Sequence, residues 1–437
     1  MNSEWNKSDE LGRRQFLINA ARSYLGVSVA PMLGASLASP AMAQAATGRR
    51  KPAEHVIFLN MAGGMSHLDT FDLKPGRDVQ GPVEGIATSA DYQISQYLPK
   101  TAEVANEMCV INSMTSTQGA HEQGQYTLHS SYNPRGTIVH PSVGAWVVRL
   151  KGRKNETLPG FVSVGGNPKN ATSGFMGAQY AGVPLGRPED GLKDSQRAHT
   201  VSEDDFDKRL AIADALNKQF HEKYNVPQVK AYESLYDEAV KLMKSADLKA
   251  FDINEEAGST RSSYGQNRFG QGCLLARRLV ETGVRFVEVT LGGWDTHYDN
   301  FTAVEARCAV LDQGYAALLK DLKARGMLEN TLVVIATEFG RSPNIVSEHN
   351  NGRDHHPACF SCVLAGGGVA GGIKYGKSDK NGNRPDEDPV RMQDLNATIA
   401  HAMGIDHSQV LYSPSGRPFR MGGAEEELGK PVTSIFG

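Results

Sequence analysis

Short apolar runs alternate with longer amphipathic stretches along this chain. Runs at residues 55–60, 108–111, 161–164, 284–291, 331–337 and 358–365 predict strands, because β-branched and aromatic residues crowd into them between glycines and turn residues. The run at 331–337 is almost uninterrupted, as suits a parallel strand buried on both faces. Between the runs, apolar residues recur at helical spacing. Leu311, Tyr315, Leu318, Leu319 and Leu322 mark one face of a long helix at about 303–325. Further helices are predicted at 98–106, 122–129, 141–150, 204–223, 229–246, 270–282 and 392–403. Residues 76–94 and 165–200 are rich in turn formers and read as loop, the second on the surface. This alternation predicts an α/β fold, a central mostly parallel sheet with helices on both faces. The pair at 204–223 and 229–246 reads as a helical insertion, about 203–252, that covers one side of the sheet. No internal repeat, low-complexity block or heptad series is present.

Polar residues gather where the apolar runs stop. After the run at 284–291, two glycines break the strand, and Trp294-Asp295-Thr296-His297 follows. Residues two apart in extended backbone face the same side, so Asp295 and His297 can meet on one cation or one proton. The first strand leads into Gly63-Gly64-Met65-Ser66-His67-Leu68-Asp69-Thr70-Phe71-Asp72, where His67, Asp69 and Asp72 are further donors. A hydroxyl-rich loop after residue 111 carries Ser116 and Thr117 and ends in His121 at a predicted helix start, a place suited to a nucleophile or an oxyanion. Glu338 and Arg341 follow the run at 331–337; Arg353, Asp354, His355 and His356 precede the run at 358–365. Adjacent His355 and His356 diverge, so one of them at most joins a given metal. The plainer reading of each residue is a helix cap, a turn or a solvated face. In open α/β sheets, however, ligands collect beyond the carboxyl ends of strands, and several such clusters fall there. Mixed carboxylate and imidazole donors suit Zn²⁺ or Mn²⁺; an all-oxygen set would favour Ca²⁺ or Mg²⁺.

A net charge of −3, with lysines and arginines dispersed, gives no basic block for nucleic acid. Residues 1–43 read as a targeting segment. Arg13-Arg14 is followed by a mildly apolar stretch and by Ala41-Met42-Ala43, the order of a twin-arginine signal peptide. That implies the twin-arginine translocase as a partner and a periplasmic or secreted location. The apolar stretch is too short and interrupted to span a membrane stably. A linker at 44–53 then leads to a single domain at 54–437. Cys359 and Cys362 stand three apart in a strand-like run and face opposite sides, so they read as core thiols.

Five stretches resemble the domain-of-unknown-function 1501 family, exported bacterial proteins related to sulfatases and the alkaline phosphatase superfamily. They are the Gly63-to-Asp72 stretch continuing to Leu73-Lys74-Pro75, residues 275–284, Gly293-Trp294-Asp295-Thr296-His297, Glu338-Phe339-Gly340-Arg341-Ser342-Pro343 and Gly352-Arg353-Asp354-His355-His356-Pro357. The resemblance implies an alkaline phosphatase-like fold and a metal site, often of two ions, that hydrolyses phosphate or sulfate esters. It matches Asp295, His297 and His355 or His356 to metal ligands. The chain departs from the superfamily pattern at Glu338-Phe339, where Asp-His is usual, and at Asn60, where an Asp ligand is usual; Asp69 or Asp72 is available instead. The Ser/Thr or Cys nucleophile has no clear match, although Ser116, Thr117 and His121 lie in the right region. The resulting expectation is a metal-dependent hydrolase acting on an anionic ester. Glu338 would serve as ligand or general base, and Arg341 and Arg353 would grip the anionic group through paired donors. The competing expectation is a non-catalytic periplasmic binding or assembly protein on the same fold.

Overall fold

The computed structural model describes residues 51–192, 195, 200–223 and 238–437; the export pattern, most of the linker and the first half of the predicted helix at 229–246 lie outside them. From Arg50 to Gly437 the chain forms one compact unit. Among the described residues, nine strands make the central sheet: β1 (His55–Ala62), β2 (Met108–Thr115), β3 (Phe161–Val164), β4 (Val183–Leu185), β5 (Phe286–Gly292), β6 (Thr331–Ala336), β7 (Phe360–Ala365), β8 (Ile373–Tyr375) and β9 (Val390–Arg391). Their order is β8-β2-β7-β6-β1-β5-β3-β4, with β9 also paired to β2. β1, β3, β4, β5 and β6 pair in parallel, as do β8 and β9 with β2. β7 alone runs antiparallel to its neighbours, β2 and β6. The mixed α/β architecture expected from the sequence is therefore the one the chain adopts.

Alternation along β1 shows why the sheet is covered twice. Ile57, Leu59 and Met61 enter one core, while Val56 and Phe58 enter the other. The first core is closed by α4 (Arg268–Glu281) and α5 (Asn300–Ala324), through residues such as Leu275, Leu279, Leu311 and Leu318. The second is closed by α1 (His121–Ser130), α2 (Val143–Lys151) and α6 (Met392–Ala402), through Leu128, Trp146, Leu395 and Ile399. Each large side chain buried this way contributes roughly 1.5–3 kcal/mol. Local signals fix the ends: the Asn267 side chain accepts from the Gly270 N–H at 2.9 Å and starts α4.

Three expectations change. The predicted helix at 98–106 is one α turn, Pro99–Ala102, and a 3₁₀ turn, Ala105–Glu107. Its start is capped from elsewhere: Asp312 of α5 accepts from the backbone N–H groups of Lys100 (3.0 Å) and Thr101 (2.6 Å). The loop at 165–200 contains β4 and several 3₁₀ turns, and so extends the sheet rather than only bordering it. The helix of the insertion, α3 (Glu203–Lys223), leaves Ile212 and Leu216 exposed. Leu242, Ala250 and Phe251, later in the same insertion, join the first core beside α4. All five cysteines are buried and free, and burial pushes the Cys359 thiol up to about 12. Among the described residues, no helix is long and apolar enough to cross a membrane.

Candidate metal centre

β1, β5 and β6 lie side by side, and their register sets Asn60 level with Thr290 and Ala336. The segments leaving these strands therefore emerge together, and they carry Gly63, Asp295 and Glu338. Gly63 has φ +120°, and a Cβ there would sit 2.6 Å from the Asp295 backbone nitrogen. The Asp295 turn can approach this closely only over a glycine. Two-residue strands Gly340–Arg341 and His355–His356 pair antiparallel, with His355 opposite Arg341. Neighbouring strand residues face opposite sides. His355 accordingly turns to Asp295, whereas His356 turns away and its Nε2–H donates to the Asn383 carbonyl at 2.7 Å.

Three imidazoles converge on Asp295. His121 Nε2 lies 3.3 Å from Oδ2; His297 Nε2 and His355 Nε2 lie 3.2 and 3.3 Å from Oδ1. Each ring has its other nitrogen committed to an acceptor. His355 Nδ1–H donates to the Gly119 carbonyl (2.7 Å), His297 Nδ1–H to Asp354 (2.8 Å) and His121 Nδ1–H to Glu338 (2.8 Å). In the neutral rings this leaves every Nε2 as a bare lone pair. The His297 and His355 Nε2 atoms are only 2.9 Å apart, and buried His121 Nε2 has no hydrogen-bond partner. Lone pairs held this way repel one another unless a cation or a proton lies among them. Imidazole nitrogens oriented from behind by carboxylates and a carbonyl, with one carboxylate oxygen set between, form a donor set that suits a divalent transition metal. His121, Asp295 and His355 offer ligand atoms within 4.8 Å of one another, and His297 adjoins two of them.

Electrostatics act differently on the members of this set. Burial works against ionisation of Asp295, but the hydrogen bond from Arg341 (2.7 Å) and its charge prevail and hold the carboxyl down at about 2. The hydrogen bond to Glu338 raises His121 against the opposing effect of burial. Burial lowers His355.

The structure brings four of the sequence candidates together as donors: His121, Asp295, His297 and His355. The sequence places His121 among the catalytic candidates; its direction toward Asp295 follows from Glu338, 217 residues away, which holds its other nitrogen. Glu338 is buried, with Oε1 taken also by the Gly63 N–H (2.9 Å) and Oε2 by Gln125 (2.7 Å), so it holds His121 from behind. Asp354 stands behind His297. The other candidates lie elsewhere. The Asp69 carboxylate is taken up by Arg353 (2.9 and 3.1 Å), Ser66 (2.5 Å) and Asn300 (2.9 Å). Asp72 is held by Lys74 (2.9 Å) and Ser378. His67 is fully buried, with Nε2 on the Gly382 carbonyl at 2.9 Å. Arg341 and Arg353, expected to grip substrate, are both fully buried. Arg341 donates to the carbonyls of Gly63, Gly64 and Arg353 besides Asp295. Arg353 donates to the carbonyls of Val79, Ser342 and Pro343 besides Asp69. Neither has a fork free for an anion. The Ser116 and Thr117 hydroxyls accept from Gln118 at 3.2 and 3.3 Å, and neither lines the cleft described next.

His121, Asp295 and Glu338 open onto a cleft of about 620 Å³. Its far wall, missed in the sequence, is amide-rich: Gln125 accepts from Asn60 (3.0 Å) and Asn170 (3.1 Å), and Asn167 and Lys169 complete the rim. Asn60 is thus engaged by Gln125 and offers no carboxylate.

A family model described as a protein of unknown function, DUF1501, matches residues 53–435. The chain belongs to the DUF1501 family. Among curated proteins, none matches it. The DUF1501 chain is similar in structure to the lipoteichoic acid synthase LtaP of Listeria monocytogenes, at 11% identity and TM-score 0.40 over 85% of this chain and 75% of that one. It is also similar to the PsFucS1 sulfatase of Pseudoalteromonas sp., at 14% identity and TM-score 0.38 over 82% and 69%. The zinc complex of the C-terminal periplasmic domain of EptC from Escherichia coli matches at 10% identity and TM-score 0.38 over 89% and 96%.

Proposed function

We propose that this DUF1501 protein is an exported, metal-dependent hydrolase of phosphate or sulfate esters. One observation carries the reading: three bare imidazole nitrogens and an ionised carboxylate converge beside a cleft that His121 and Asp295 line. The metal would be held by His121, Asp295, His297 and His355, with Zn²⁺ or Mn²⁺ the fitting ions for such donors. A divalent ion in such a set supplies Lewis-acid polarisation of the ester oxygen and a lowered pKa for bound water. The chain's own residues do the rest. Glu338, Asp354 and the Gly119 carbonyl keep the Nδ1 protons in place, so the Nε2 atoms stay free for ligation. Arg341 keeps Asp295 charged. The N-terminus of α1 enters the cleft at His121 and Glu122 without a side-chain cap, and its N–H groups are offered to an anionic oxygen. Among the described residues no serine or cysteine lines the cleft, and Thr290 is turned onto Glu288 at 3.4 Å. Water is therefore the nucleophile in this reading, and no covalent ester on the protein is formed. Export by the twin-arginine translocase, after folding, follows from the pattern at residues 1–43.

The test is the metal content of protein purified from the periplasm without added metal. A stoichiometric transition metal, lost in His297→Ala together with ester hydrolysis, is the expected result. Metal in neither form removes the hydrolase reading and leaves the binding or assembly protein.

A further inference from the structure

The charge balance of the cleft narrows the ester it can take. Both arginines that seemed suited to an anion are buried and spent on protein carbonyls and on Asp69 or Asp295. Among the described residues, Lys169 is the single lysine or arginine lining the cleft, and it sits 3.7 Å from Glu122 on the same rim. Three carboxylates line it as well: Glu122, Asp295 and Glu338. Arg341 offsets Asp295 from behind. With a divalent ion among the imidazoles, that ion, Lys169, Arg341 and these three carboxylates sum to a single positive charge, which Asp354 behind His297 offsets.

A phosphate monoester brings two negative charges at neutral pH; a sulfate monoester or a phosphodiester brings one. A site that binds the dianion must neutralise both charges as it strips their water, and a carboxylate on the rim adds repulsion against the second. Discrimination through a repulsive group needs no new contact to the favoured substrate. We infer that this cleft selects singly charged esters, sulfate monoesters or phosphodiesters, over phosphate monoester dianions, with Glu122 as the specificity-determining residue. The inference rests on the hydrolase reading and narrows its substrate class.

Aryl sulfate and aryl phosphate have nearly the same shape and differ in charge, so they make a direct comparison. The metal-loaded full chain is assayed with 4-nitrophenyl sulfate, bis(4-nitrophenyl) phosphate and 4-nitrophenyl phosphate at pH 8, where the last is a dianion. The expected result is a kcat/KM for a singly charged ester at least about tenfold above that for the dianion. Glu122→Lys is expected to shift the ratio toward the dianion by about tenfold, through Coulomb terms of the size found between near-surface charges. A wild-type preference for the dianion, or a ratio unmoved in Glu122→Lys, overturns the inference. Calorimetry with phenylphosphonate and its monomethyl ester separates this from failure of the hydrolase reading. If no ester is turned over, that reading falls, yet tighter binding of the monomethyl ester still upholds the charge selection. Equal or tighter binding of the dianion refutes it.

Discussion

Two aspartate–arginine pairs in this protein are built alike and do different work. In both, the arginine is fully buried and donates to backbone carbonyls as well as to the carboxylate. Asp69 is fully buried too, and its oxygens are filled by Arg353, Ser66 and Asn300. Asp295 leaves its side chain 48% exposed, gives one contact to Arg341 and turns its oxygens to three imidazoles. A saturated pair ties loops together and has nothing left to bind. A half-saturated pair keeps a charge in place for something else. The chemistry of a carboxylate is thus decided by how many of its lone pairs the fold consumes.

The largest effect that separates the two pairs is on stability. Arg353→Met leaves Asp69 charged and buried without its partner, and unfolding in urea is expected to show a loss of about 3–5 kcal/mol. Metal bound per folded molecule stays the same. A loss under about 1 kcal/mol would mean that Asp69 is not the structural member of the two. Asp295→Asn reverses the pattern: chelator competition is expected to show metal affinity down by about a hundredfold or more, beyond what supporting residues cost, with a smaller change in stability.

How far the sequence reaches is visible in the same residues. The strands, their burial and the placing of polar clusters at their ends follow from apolar runs closed by glycine, as at Gly292-Gly293, and these could be read directly. Which clusters meet could not, because strand order brings β1 between β5 and β6 although more than 220 residues separate β1 from either. Asp69 and Asp295 look equally suited to a metal until Arg353, 284 residues from Asp69, is found on the former. Lys169 and Asn170 read as surface loop because Gly and Pro surround them, and only the fold turns that loop toward the cleft. The turn at Pro99–Ala102 likewise depends on Asp312, a cap no local pattern announces.

Acid supplies a further contrast, between histidines kept neutral by burial and those of the centre. Burial lowers His55 and His140 to about 4, and neither ring lines the cleft, although His140 is hydrogen-bonded to Tyr126 on its wall. Their folded values lie below the unfolded one, so their contribution is complete above about pH 6.5 and is lost as pH falls toward 4. Denaturation at stepped pH is expected to show about 2 kcal/mol lost per group by pH 5. Replacing either with a neutral ring isostere should flatten that slope; an unchanged slope would assign the acid sensitivity elsewhere. Glu338→Gln tests the support behind His121. The amide cannot hold the ring's proton as a carboxylate does, and metal affinity is expected to fall by about 10–100-fold, less than for Asp295→Asn. The smallest effect is the control: Asn267→Ala removes the α4 cap for about 1 kcal/mol and leaves metal binding intact.

The reversed direction of β7 has a consequence for how the protein is made. His355 stands just before that strand, which pairs with β6 on one side and β2 on the other. The last donor is thus delivered late in synthesis, by the piece that locks the middle of the sheet. A truncated or misassembled chain would therefore offer an incomplete set of donors to an ion.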